Sequence, residues 1–97
     1  MAKFELNIYG GDDTILKQYA TEHIPYGVFM RALEIDEDFE GKTPKEQISL
    51  VNEIVKTVFS GLTDEELMHA DIGDVFATFR QVLAQTGNIK SSKNSKN

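Results

Sequence analysis

The densest group of side chains that could do chemistry is acidic and lies between residues 34 and 40. Taken as a calcium loop that begins at Asp36, it offers oxygens from Asp36, Asp38 and Glu40 at the first, third and fifth positions. The twelfth position, where such a loop needs a bidentate glutamate, holds Gln47. We therefore favour a solvated helix end over a metal site. A calcium-binding regulator stays as an alternative, which a calorimetric titration with calcium tests.

The other residue types that often carry catalysis lack the spacing that catalysis needs. His23 and His69 are far apart and belong to no metal-binding pattern. The chain contains no cysteine and no Gly-x-Ser-x-Gly nucleophile motif. Gly10 and Gly11 form a pair that no phosphate-loop pattern follows. We therefore predict a protein that is not an enzyme, with no catalytic residues, no metal site and no cofactor.

Net charge narrows the class of partner. The 97-residue chain carries −6, and residues 1–87 hold sixteen acidic against seven basic side chains, a net charge of −9. A surface of this sign repels phosphate backbones, so we expect no nucleic-acid partner. The uncharged apolar stretch from Ile24 to Met30 is much shorter than the roughly 20 residues that span a bilayer. Because no secretory signal pattern is visible either, we also expect no membrane partner.

The first elements that would position these side chains are strands. Residues 3–9 alternate apolar and polar side chains, which predicts a half-buried strand. Residues 10–13, Gly-Gly-Asp-Asp, predict a tight turn. Residues 14–19 fit a returning strand, although Ile15, Leu16 and Tyr19 also fit one turn of a helix. We favour a hairpin and leave the helix open.

Helical periodicity dominates the rest of the chain. After Pro25 we expect a helix that ends at Gly41. Two capping boxes, at Thr43 and at Thr63, predict the starts of the next two helices, and Gly61 between them suits a helix C-cap. The second of these helices should end at about residue 69. The predicted core stripes of the long helices are Val28, Ala32, Ile35 and Phe39; Ile48, Val51, Val55 and Val58; and Ile72, Val75, Phe79 and Val82.

Asp71 is expected to cap the last helix, which should end at Gly87. The fold class predicted from these elements is α+β, mainly α: an N-terminal β-hairpin followed by three to four packed helices. Residues 1–87 should form a single domain, at about the usual domain size. Residues 88–97 contain one apolar side chain and are expected to be a disordered tail.

Six large apolar residues lie near the ends of elements or off the main stripes. Each alone is expected in the core more often than on the surface. If several are exposed together, they would form an adaptable apolar surface for a partner segment. These candidate partner-binding residues are Tyr26, Phe29, Met30, Phe39, Leu62 and Met68.

The order of the elements resembles a known family. A short alternating strand precedes an Ile-Pro break, and the helix that follows carries residues 29–34, Phe-Met-Arg-Ala-Leu-Glu, with an acidic end. Residues 59–67, Phe-Ser-Gly-Leu-Thr-Asp-Glu-Glu-Leu, lead into a closing helix rich in bulky apolar side chains. In these features the chain resembles the tail assembly chaperones of long-tailed bacteriophages, over roughly residues 3–86. These are small acidic proteins encoded between the tail-tube and tape-measure genes.

The resemblance implies a transient role in virion morphogenesis. Such a chaperone binds the tape-measure protein in the bacterial host cytoplasm, keeps it soluble, helps to recruit tail-tube subunits around it and is absent from the mature virion. Self-association is compatible with this role. An alternative of another class is an acidic nucleic-acid mimic that inhibits a host DNA-binding protein. Binding to a basic DNA-binding protein, lost at about 0.5 M salt, would distinguish that alternative.

Overall fold

The computed structural model describes residues 4–88 and confirms the predicted α+β, mainly helical fold. Two strands, β1 (Phe4–Tyr9) and β2 (Ile15–Thr21), precede four α-helices. The helices are α1 (Tyr26–Glu37), α2 (Pro44–Val58), α3 (Asp64–Leu67) and α4 (Ile72–Leu83). Short 3₁₀ turns occupy Phe39–Gly41 and Ala84–Asn88. The tail predicted for residues 88–97 lies outside the described residues, apart from Asn88 in the last 3₁₀ turn.

The hairpin confirms the strand interpretation of residues 14–19, although β2 begins at Ile15 and continues to Thr21. The two strands pair antiparallel, and Leu6 faces Tyr19 across the ladder. Between the pairs Ile8–Lys17 and Tyr9–Ile15 the register shifts by one residue, which makes Leu16 the extra residue of a β-bulge. The buried face of β1 consists of Phe4, Leu6 and Ile8.

The helix starts are set by local chemistry, as expected. The side-chain oxygens of Thr43 and Thr63 each accept a hydrogen bond from the backbone N–H three residues on. The side chains of the glutamates at those positions in turn accept a hydrogen bond from the threonine N–H, so both capping boxes form. Asp71 accepts a hydrogen bond from the N–H of Asp74 at 3.2 Å and caps α4. Because caps depend on neighbours in the sequence, they could be predicted without knowing the fold.

The predicted helix ends need correction. Helix α1 ends at Glu37 rather than at Gly41, because Asp38 leaves the helical region (φ −131°, ψ 31°). Phe39 therefore belongs to a 3₁₀ turn, and Gln47 of α2 donates a hydrogen bond to its carbonyl at 2.8 Å. Helices α3 and α4 end at Leu67 and Leu83, before the predicted residues 69 and 87, and 3₁₀ structure follows α4 to Asn88.

Gly61 has the positive φ expected of it, +91°, but it is not the C-cap of α2. That helix ends at Val58, and its C-cap is Phe59, in an extended conformation. The left-handed turn at Gly61 redirects the chain after Phe59 has entered the core. Only glycine adopts this conformation without steric cost, so the turn fixes the residue type.

The core lies between the hairpin and the helices, and α4 is its central element. Helix α4 contacts β1, α1 and α2. Its Val82 and Phe79 are buried together with Phe59, which follows α2, and with the apolar face of β1. The buried hydroxyl of Thr78 donates to the carbonyl of Asp74 at 3.0 Å, so burying it leaves no unmade hydrogen bond.

Candidate partner-binding groove

The six candidate partner-binding residues divide between the core and the surface. Phe29 and Leu62 are buried, at 9% and 7% exposure, so they offer no surface to a partner. Phe39 is partly buried and stacks on Phe79, with 5.5 Å between the ring centroids. Tyr26, Met30 and Met68 are exposed, at 75%, 44% and 82% respectively.

The exposed candidates lie at two separate places. Tyr26 and Met30 are four residues apart on α1, which places them on one face of that helix. Met68 follows α3 and lines a groove to which neither of them contributes. The structure therefore does not bring the predicted residues into one surface.

This groove, named here the α2–α4 groove, is an apolar depression on the described part of the chain. It has a volume of about 580 Å³ and lies between α2, α3, α4 and the turn that joins α3 to α4. Its wall combines buried Leu67 and Val75 with the exposed side chains of Ile48, Met68 and Ile72. The other lining residues are Asn52, Asp64, Glu65, Ala70 and Phe76. A solvent-exposed apolar concavity of this kind is typical of a binding surface.

Two of the groove residues were predicted to be in the core, and this prediction was wrong. Ile48 and Ile72 are 45% and 67% exposed. Each is the first apolar residue of its helical stripe, and in the last stripe the buried part begins only at Val75. A helix that starts outside the packed layer leaves the first residue of its stripe uncovered. Being first in the stripe does not by itself identify them, since Val28, the first residue of the α1 stripe, is 5% exposed.

Caps and backbone contacts hold Met68 on the surface. The capping box at Thr63 fixes the register of α3, so that Leu67 turns inward and Met68 outward. Asp71 then caps α4. Between these two caps, the N–H of Tyr9 in β1 donates to the carbonyl of His69 at 3.0 Å and ties the connecting turn to the hairpin. The exposed apolar side chains are thus presented by a turn that is held at both ends.

Glu66 joins the hairpin to α3 on the side away from the groove lining. One carboxylate oxygen accepts from the Tyr19 hydroxyl at 2.5 Å and from the N–H of Thr63 at 3.2 Å. The other pairs with the Lys17 ammonium at 3.2 Å. The Tyr19 hydrogen bond, followed by the Thr63 bond and Lys17, lowers the pKa of Glu66 to about 2. The carboxylate therefore stays charged, and keeps these partners, well below neutral pH.

The rim of the groove carries acidic charge. Asp64 pairs with Lys56 of α2 at 2.5 Å. The exposed carboxylate of Glu65 makes no ion pair with any residue that the structure describes. Four of the six lysine and arginine side chains in residues 4–88 already form ion pairs: Lys17, Arg31, Lys42 and Lys56. The acidic excess of the chain therefore reaches the edge of this apolar depression.

Within residues 4–88 no group of three or more histidine, cysteine, aspartate or glutamate side chains is arranged to hold a metal ion. His23 and His69 are both exposed. Over the same residues, every helix is too short or too polar to cross a bilayer. The α2–α4 groove is thus the feature on which a functional argument can rest.

Comparison with known proteins adds no relative to this description. No family model matches the chain, and neither a curated protein nor a solved structure matches it.

Proposed function

We propose that this chain is a phage tail assembly chaperone. In this proposal it binds the tape-measure protein in the host cytoplasm, keeps it soluble, helps to recruit tail-tube subunits and leaves before the virion matures. The observation that carries the proposal is an apolar groove, with Met68 and Ile72 exposed at its edge, on a domain of strongly negative charge. The family resemblance supplies the identity of the partners.

Groove and charge suit this role for different reasons. A long helical protein with apolar faces aggregates when those faces are bare, because they associate with one another. A small domain that docks on such a face removes part of it from water. Residues 1–87 also bring a net charge of −9 for each copy bound, so that neighbouring complexes repel one another.

A chaperone that leaves the finished structure must bind reversibly. Many copies with modest affinity meet this requirement better than one tight site, because contacts can be lost one at a time as tail-tube subunits arrive. An open groove with exposed methionine suits modest affinity, since the methionine side chain is flexible and adapts to different partners. Tight, specific interfaces instead bury anchors in deep and fully desolvated pockets.

The test is co-expression with the tape-measure protein from the same gene neighbourhood. The measurements are the soluble fraction of the tape-measure protein and its co-purification with this chain. If the proposal is right, the tape-measure protein is soluble only when this chain is present. Equal insolubility with and without the chain would refute the proposal. An unrelated acidic protein of similar size serves as the control for a general effect of charge.

A further inference from the structure

We propose that the α2–α4 groove docks one amphipathic helix of a partner, with a lysine or arginine of that helix beside Glu65. This inference rests on the proposed function, because the tape-measure protein would supply the helix, and it adds the site and the chemistry of recognition. Three observations carry it: the elements that line the groove, the spacing of its exposed side chains and the charge at its rim.

The lining favours a helical occupant over a strand. Every lining residue belongs to α2, α3, α4 or the turn between α3 and α4. The backbone of that turn is itself bonded, since the N–H groups of Met68, His69 and Ala70 donate to carbonyls within α3. No row of unpaired backbone groups is therefore available for an added strand, which needs such a row. A groove between helices instead takes the side-chain ridges of another helix.

The exposed side chains have the spacing that a helix contacts. Exposed Ile72 and partly buried Phe76 are four residues apart in α4 and share one face of it, and exposed Met68 lines the same groove from the turn before α4. Ile48 of α2 closes the opposite wall. A partner helix with apolar residues at intervals of three and four would place them between these walls. It would then cover side chains that are now 45% to 82% exposed.

Charge selects a basic partner over a second copy of this chain. Glu65 makes no ion pair within residues 4–88, and Asp64 pairs with Lys56. A lysine or arginine on the incoming helix would supply the missing counter-charge at the rim. A second copy would instead bring its own acidic rim, and a net charge of −9 over residues 1–87, against the same surface.

The binding mode is tested by titrating the full-length, ¹⁵N-labelled chain with synthetic peptides of roughly 18 residues, about 27 Å as a helix. The first peptide carries a leucine stripe and lysines on its polar face. The second has the same stripe with glutamates, and the third has the composition of the first in an order that disperses the leucines. We expect the first peptide to give saturable chemical-shift changes at the backbone amides of Met68, Ile72 and Phe76. Its affinity should exceed that of the other two by about tenfold or more.

Variants then test which side chains are responsible. The double variant Met68→Gln, Ile72→Gln should lose about tenfold or more in affinity, because two apolar contacts are lost without a change in charge. Leu16→Gln is the matched control, since Leu16 is 70% exposed on the hairpin and lies outside the groove lining, and it should leave affinity unchanged. Glu65→Gln should weaken binding several-fold at low salt, whereas Glu40→Gln, an exposed acid outside the lining, should not.

Several results would overturn the inference. The first is a set of chemical-shift changes centred on Tyr26 and Met30. The second is equal binding of the lysine and glutamate peptides. The third is an equal loss of affinity in the groove variant and the Leu16 control. Dimerisation of the unmodified chain in sedimentation, abolished by the groove double variant, would assign the groove to a second copy instead. Circular dichroism on each variant establishes that a loss of binding is not a loss of fold.

Co-expression separates this inference from the proposed function. If the unmodified chain fails to solubilise the tape-measure protein, the proposed function fails, and the peptide titration still judges the groove. If the unmodified chain succeeds and the double variant succeeds equally, the proposed function stands and the groove inference fails. Success of the unmodified chain and of the Leu16 variant, with failure of the double variant, supports both.

Discussion

Replacing Leu62 and Met68 by glutamine, one at a time, compares the same polar side chain at two apolar sites that lie six residues apart. Leu62 is 7% exposed and belongs to the core cluster, whereas Met68 is 82% exposed. Leu62→Gln forfeits the burial of a leucine, about 1.5–3 kcal/mol, and places an unpartnered amide in the core, which costs about 1–3 kcal/mol more. The sum is roughly 2.5–6 kcal/mol of unfolding free energy.

The expected loss is large for a domain of this size, whose total stability is about 5–15 kcal/mol. Met68→Gln should change stability by no more than about 0.5 kcal/mol, as is usual at exposed sites. The assay is urea unfolding followed by far-ultraviolet circular dichroism. With an m-value of about 2 kcal/mol per molar urea, the midpoint of Leu62→Gln should fall by about 2 M. That of Met68→Gln should stay within about 0.3 M of the unmodified chain.

The comparison bears on function as well as on the fold. Substitution of Leu62 or Phe29 lowers the stability of the domain itself, so a loss of partner binding in such a variant does not identify a contact surface. A loss in Met68→Gln, with its midpoint unchanged, does identify one. Equal midpoints for the two variants, or a loss below about 1 kcal/mol in Leu62→Gln, would refute the assignment of Leu62 to the core.

Three further predictions follow from single sites. In the folded chain the pKa of Glu66 is lowered from 4.5 to about 2. The contribution of the Glu66 carboxylate to stability is therefore present above about pH 4.5 and is lost as pH falls towards 2. In thermal melts, the difference between the unmodified chain and Glu66→Gln should shrink over that range; a difference that does not change with pH would contradict the reasoning. Thr43→Ala and Thr63→Ala should each cost about 0.5–2 kcal/mol in urea unfolding, because each removes a helix cap; an unchanged midpoint would contradict the cap. Gly61→Ala should cost about 1–2 kcal/mol of unfolding free energy, because φ is +91° there. An added Cβ meets no atom within 4 Å, so the cost comes from backbone strain alone. Gly11→Ala, which is also in open space but has no positive φ, is the control in the same assay.

The parts of the fold that could be predicted depend on local chemistry. Alternation in β1, the hydroxyls of Thr43 and Thr63 and the carboxylate of Asp71 each act within a few residues of their own position. Such signals can be recognised before the tertiary fold is known. They identified the hairpin and the starts of α2, α3 and α4, which is most of the architecture.

Helix ends were harder because tertiary contacts decide them. Nothing near Asp38 in the sequence requires α1 to stop there. The chain instead turns so that Phe39 can stack on Phe79 of α4, and Gln47 of α2 bonds to the Phe39 carbonyl. Both partners are distant in the sequence or belong to another helix. The break therefore depends on packing that the sequence pattern does not contain.

The candidate site could be predicted only in part, for a related reason. Phe29 and Met30 are neighbours of similar size, yet Phe29 is buried and Met30 is 44% exposed. A helix rotates by about 100° per residue, so which of two adjacent side chains faces the core depends on where α1 lies relative to its neighbours. Periodicity finds the axis of the apolar stripe but not its edges, and the six candidate residues were chosen near the ends of elements or off the main stripes.

The α2–α4 groove shows how predictable local features can produce a surface that was not predicted. The caps at Thr63 and Asp71 were expected, and their outcome is that Met68 on the bonded turn and Ile72 at the start of α4 lie outside the core. What the sequence lacks is the distance between that turn and Ile48 in α2, which only the packing of α2 against α4 establishes. Because the caps stabilise α3 and α4 independently of any partner, the exposed side chains are already positioned when a partner arrives. If the groove docks a partner as proposed, little ordering is required on binding, and modest apolar contacts with one charge at the rim would suffice for reversible association.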